Sequence, residues 1–126
     1  MAIYIYNIKE DAIKNFGFLE KMGYNVYKIR ETSSHLYLSY KNVKSNLMVS
    51  IYVEFFDGFW DIQLVNGYRG YPFWKILNYL KVVYPKDLVI ITNHNYSPPL
   101  ERYAKYIETF CSDFLTGIIE VDKVIE

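Results

Sequence analysis

Glu54, Asp57 and Asp61 are the residues of this chain whose spacing most invites a chemical reading. They lie within Leu47–Asn66, LMVSIYVEFFDGFWDIQLVN, where apolar and polar residues alternate on both sides of Asp57-Gly58. An Asp-Gly pair between two alternating runs is a strong signal for a two-residue hairpin turn. That turn would set Phe55 against Trp60, Val53 against Ile62 and Ile51 against Leu64, all on one apolar face. The other face would then carry Ser50, Tyr52, Glu54 and Phe56 against Val65, Gln63, Asp61 and Phe59. Glu54 is thereby expected directly opposite Asp61, a like-charge pairing that opposes stability.

Three chemistries fit such a face. A carboxylate pair can act as acid and base or hold a metal, but both need a cleft and further ligands, which an open sheet face does not supply. A solvated face needs only neutralising cations on a neighbouring strand, such as Lys28 or Lys41. An acidic-aromatic patch would bind a basic protein surface, with rigid rings as anchors and carboxylates for steering. The residues expected to make that patch are Tyr52, Glu54, Phe56, Asp57, Phe59, Asp61 and Gln63.

Elsewhere the chemistry is sparse. His35 and His94 have no His or Cys at a metal-ligand spacing, and His94 sits among Asn93, Asn95 and Tyr96 in a loop composition. Cys111 falls beside Phe110 in a helical stripe and reads as a small buried apolar group. Asn66–Gly70 has two glycines but no phosphate-loop spacing. Tyr68, Arg69, Tyr71 and Trp74 would form an aromatic-basic knob able to stack a ring or a base, an alternative site for a small ligand or single-stranded nucleic acid. No catalytic residue, metal or cofactor is expected.

The elements that must position these residues follow from periodicity. Ile3–Tyr6 alternate as a short strand or arm would. Asn7 and Glu10 have capping-box spacing, and Ile8, Ala12, Ile13, Phe16, Leu19 and Met22 recur at helical intervals up to Gly23. Tyr24–Glu31 and His35–Tyr40 read as strands around the turn at Thr32–Ser34, and the hairpin adds two more, giving an antiparallel meander. Asn66–Gly70 reads as the connection out of the sheet. Tyr71-Pro72 opens a helix with Phe73, Ile76, Leu77, Leu80 and Tyr84 inward, ended by Pro85. A short apolar strand is expected near 88–91. A helix capped at Ser97 runs by its spacing to Gly117, and Ile118–Ile125 reads as a last strand or docking arm. The expectation is one α+β domain over 1–126: a four-stranded antiparallel meander flanked by an N-terminal helix and two C-terminal helices, with that short strand beside them.

The totals narrow the class. Lys+Arg and Asp+Glu are 14 each, so no net field draws the chain to nucleic acid or a membrane surface. Tyrosine, at 14 residues, exceeds the 8 Phe and 2 Trp together, and its apolar body with a polar tip suits half-exposed sheet faces and interfaces. A lone cysteine permits no intrachain disulfide, and neither a signal peptide nor a membrane span is read in the sequence, so the cytoplasm is the expected compartment.

Phe18–Tyr24, Leu47–Glu54, Phe59–Val65 and Tyr71–Leu77 together resemble, in order and pattern, small bacterial immunity-type proteins that counter polymorphic or contact-delivered toxins. The likeness covers about the first two-thirds of the chain. It implies a cytoplasmic inhibitor that neutralises a toxin domain by stoichiometric binding, and it transfers no functional residues. A protein partner is thus the leading expectation, a ligand-binding or nucleic-acid-binding module the alternative, and an enzyme the last.

Overall fold

The computed structural model describes residues 2–54, 60–80 and 100–125. Helix α1, Ala2–Asn15, leads through Phe16 and Gly17 to the single turn α2, Phe18–Lys21. Five strands follow: β1 Tyr24–Glu31, β2 His35–Asn42, β3 Leu47–Glu54, β4 Trp60–Asn66 and β5 Arg69–Pro72. They form one antiparallel sheet in sequence order. After the sheet come α3 Phe73–Leu80, α4 Leu100–Phe110, α5 Ser112–Leu115 and α6 Val121–Val124.

The strands sort their side chains by parity, as a pleated backbone requires. Leu36, Leu38 and Tyr40 of β2, Leu47, Val49, Ile51 and Val53 of β3, and Ile62 and Leu64 of β4 are all buried. Against this face pack Ala12 and Phe16 of the N-terminal helical segment, Leu19 of α2, Phe73, Ile76 and Leu77 of α3, and Tyr103, Ala104 and Ile107 of α4. Each fully buried side chain of the size of Leu or Ile contributes about 1.5–3 kcal/mol by leaving water. The described helices therefore line one face of the sheet, and the opposite face of β2–β4 is left half-exposed.

Asn42 joins two turns. Its Nδ2 donates to the Met22 carbonyl at the end of α2, 3.1 Å away, and its Oδ1 accepts from the backbone N–H groups of Lys44 and Ser45 at 3.0 and 3.2 Å. Gly23 lies against it with φ of 94°, where a Cβ would come within 3.2 Å of that same Nδ2. The positive φ favours glycine, and a Cβ would also crowd the Asn42 amide.

Several expectations are corrected. Ile3–Tyr6 are helical, inside α1, and Asn7 is consequently interior to a helix rather than its cap. Among the described residues the sheet has five strands, not four, because Asn66–Gly70 turns back instead of leaving: Asn66 pairs with Arg69 across Gly67-Tyr68. The positive φ of 64° at Gly67, first of the two loop positions, is what a type II′ hairpin turn demands. The tail is not a strand: it docks, as the short helix α6, with Val121 and Ile125 buried. The last long helix is broken at Cys111 into α4 and α5, and Gly117 closes it with φ of 81°. Tyr84, Pro85, the strand near 88–91, His94 and Ser97 lie outside the described residues, as does the Asp57-Gly58 turn.

The hairpin register is also corrected. Val53 pairs with Trp60, Tyr52 with Asp61, Ile51 with Ile62 and Val49 with Leu64. This is two residues away from the register that a two-residue Asp57-Gly58 turn imposes. A two-residue slip returns every side chain to the same face, so apolar alternation alone does not choose between these registers; only a one-residue slip is forbidden by burial.

Candidate functional site

The face of the sheet that no described helix lines, called the uncovered face below, is built from the residues that alternate with the core. Pairing arranges them in rows across the strands. Arg30 of β1, Tyr37, Tyr52 and Asp61 form one, and Lys28, Ser39, Ser50, Gln63 and Pro72 form the next. A third runs from Asn25 through Lys41, Met48 and Val65 to Gly70, and His35 pairs with Glu54 at the opposite margin. The face is graded in charge, with Lys28, Arg30 and Lys41 on the β1–β2 side and Glu54 and Asp61 on the β3–β4 side.

Four of the expected patch residues, Tyr52, Glu54, Asp61 and Gln63, share this face. Phe56, Asp57 and Phe59 lie outside the described residues. Glu54 is not opposite Asp61: its cross-strand neighbour on β2 is His35, and Asp61 faces Tyr52. The two carboxylates are therefore diagonal, and the directly opposed like-charge pair is absent. Each carboxylate is held by its own strand. The Tyr52 hydroxyl donates to Glu54 Oε1 at 3.2 Å, and Gln63 Nε2 donates to Asp61 Oδ2 at 2.8 Å. The phenol of Tyr52 is raised by partial burial and then by the Glu54 charge and hydrogen bond, so it stays a donor.

Aromatic surface surrounds these acids. The His35 ring lies 5.5 Å from that of Tyr52, and its Nδ1 is within hydrogen-bond reach of the Thr32 and Ser34 hydroxyls at 3.2 and 3.1 Å. Tyr37 stands between Arg30 and Tyr52 in the pairing. Lys41 sits 5.3 Å from the centre of the Tyr27 ring, at the other end of β2 from His35. Lys28 is opposite Ser39, on β1, three strands from β4. The two lysines expected to neutralise the acids thus sit on the far side of the face. Ser39, at its middle, is fully buried, and its Oγ has no hydrogen-bond partner among the described residues.

The alternative loop site is divided. Tyr68 is fully exposed and Arg69 exposed, but Tyr71 is buried with its hydroxyl donating to Asp122 of α6. Arg69 Nη1 donates to that same phenol at 3.4 Å, and Asn66 Nδ2 to the other Asp122 oxygen at 2.8 Å. Trp74 lies beneath the Lys75 ammonium, 5.7 Å from it. The cluster ties α6 to the β4–β5 hairpin. Asp122, which does the tying, has no counterpart in the sequence reading, because a contact over 51 residues leaves no periodic trace.

Cys111 is fully buried, and burial pushes its thiol up, so it stays protonated at neutral pH and is a poor nucleophile. Among the described residues no three His, Cys, Asp or Glu side chains converge as metal ligands would, and no helix is long and apolar enough to cross a membrane.

His35, Tyr37 and Ser39 also belong to the face, outside the patch expected from the sequence. The signal was present: alternation in HLYLSY that sends Leu36, Leu38 and Tyr40 inward sends these three outward. No protein-family model, curated protein or solved structure matches the chain.

Proposed function

We propose that this protein is a binding inhibitor of the immunity type, which grips a basic partner protein through the uncovered face of β2–β4. One observation carries the reading: His35, Tyr37 and Tyr52 share that face with Glu54 and Asp61, and the two carboxylates are preoriented by Tyr52 and Gln63. Rings fixed on a rigid sheet lose little freedom on binding, and carboxylates already aimed outward steer a cationic surface into register. A toxin domain whose function depends on basic residues is the partner this chemistry fits.

Capture from lysate of the producing cell tests it, with the wild-type chain and a Glu54→Lys/Asp61→Lys variant run in parallel. A basic protein retained by the wild type and lost by the variant, at equal melting temperature, is the expected result. Equal retention by both moves the site off this face. Retention of acidic partners alone overturns the proposal.

A further inference from the structure

The sheet has two edges, and they are finished differently. β5 is four residues long, contains Gly70 and Pro72, and runs directly into α3. A short edge with proline is poorly suited to pairing. β1 is eight residues long, and after Tyr24 every residue from Asn25 to Glu31 is exposed. Val26, Tyr27 and Ile29 are 44%, 58% and 42% exposed, large apolar side chains that no described helix covers. Among the described residues nothing pairs with the outer side of this strand.

The side chains of β1 separate by face despite the irregularity at Tyr27, where the register with β2 shifts. Val26 pairs with Tyr40 and Ile29 with Leu38, so both belong to the helix-lined side. Glu31, opposite Leu36, lies on that side too. Lys28 pairs with Ser39 and Arg30 with Tyr37, which puts both cations on the uncovered side, next to Lys41. Among the described residues the edge therefore offers unpaired main-chain groups, an apolar strip on one side and a cationic strip on the other.

These charges decide between occupants. A second copy paired antiparallel about Ile29 would set Lys28 against Arg30 across the new ladder, a directly opposed like-charge pair. An extended segment with carboxylates at alternate positions reverses the sign of both contacts. Its intervening side chains then fall on the side of Val26 and Ile29.

We propose that the outer edge of β1 accepts an extended segment of a partner protein as a sixth strand, with Asp or Glu beside Lys28 and Arg30 and aliphatic side chains beside Val26 and Ile29. This site lies on a different strand from the acidic patch, takes the opposite charge, and does not depend on the patch binding anything.

The probe is a capped, fluorescently labelled EVEVEVE peptide, with KVKVKVK and a scrambled glutamate-valine peptide as controls, titrated by anisotropy against the full chain. Binding of EVEVEVE alone is expected, with slowed hydrogen exchange at β1 amides. The Lys28→Glu/Arg30→Glu variant should bind it about tenfold more weakly and should now take KVKVKVK, since two favourable pairs become two repulsive ones. That gain of binding shows the variant is folded. Equal affinity for all three peptides, exchange protection elsewhere than β1, or unchanged affinity in the variant overturns the proposal. So does a wild-type dimer that EVEVEVE fails to dissociate and that protects the β1 amides from exchange, because the edge would then belong to a second copy.

Discussion

β1 and β3 are strands of equal length, and their sequences, YNVYKIRE and LMVSIYVE, both mix large apolar with polar residues. Their fates are opposite. β3 buries every second residue, whereas β1 buries Tyr24 and nothing after it. The difference comes from position: among the described residues β3 has a strand on each side and helices over one face, whereas β1 pairs with β2 alone and no described helix covers its exposed apolar side chains. An apolar side chain is thus evidence of a core only where some other element reaches it, and in β1 the uncovered ones mark a surface.

The largest expected effect breaks the comparison at its core end. Ile51→Ala removes a fully buried side chain between Leu38 and Ile62 and should cost about 3 kcal/mol in urea unfolding. The matching change in β1, Ile29→Ala, should cost less than about 1 kcal/mol, as exposed positions do. Similar losses at the two sites would mean that β1 is covered in solution.

Tyr24 is where β1 enters the core, and it is expected to sit between those extremes. Its hydroxyl donates to the Leu115 carbonyl at 2.7 Å, so Tyr24→Phe leaves a buried acceptor unpaired at a cost of about 1–2 kcal/mol. A melting temperature unchanged from wild type would show that this bond contributes nothing to holding the strand.

Alkaline pH sharpens the same contrast. Burial raises the phenols of Tyr24 and Tyr103 and pushes Tyr40 up to about 12, with the charge of Glu20 adding to the last. Their ordinary value is 10.0, so unfolded chains ionise first as the pH climbs. The stability due to each neutral phenol is complete below about pH 10 and declines towards pH 12, by up to about 1.4 kcal/mol per pH unit for each. Denaturation followed against pH should show this decline, and Tyr24→Phe should flatten it. A profile flat to pH 12 would contradict the burial of all three.

The smallest effect belongs to the uncovered face. Glu54→Lys/Asp61→Lys should change stability by less than about 1 kcal/mol, because the carboxylates are only half-buried and each accepts from a side chain on its own strand. A larger loss would make them structural rather than available to a partner.

Strand identity was legible because alternation and turn residues are local. Tyr24–Glu31 is the observed β1, the expected His35–Tyr40 falls two residues short of β2, and the inward set Leu36, Leu38 and Tyr40 is buried as its spacing implies. The hairpin register was not legible, since sliding Leu47–Glu54 by two residues past Trp60–Asn66 leaves both faces unchanged. That slip removes the opposed Glu54–Asp61 pair while keeping both residues on the face where alternation put them. The fifth strand was obscured because glycines at Gly67 and Gly70 mark an exit and a tight hairpin equally well.

By itself, then, the sequence determined which side chains share a face, because the two-residue period of a strand is a property of the backbone. Tertiary structure decided which face is covered, which strand is left at the edge, and that Asp122 would fasten the C-terminal turn to Tyr71. Those outcomes depend on distant segments meeting in space, and no local period encodes them.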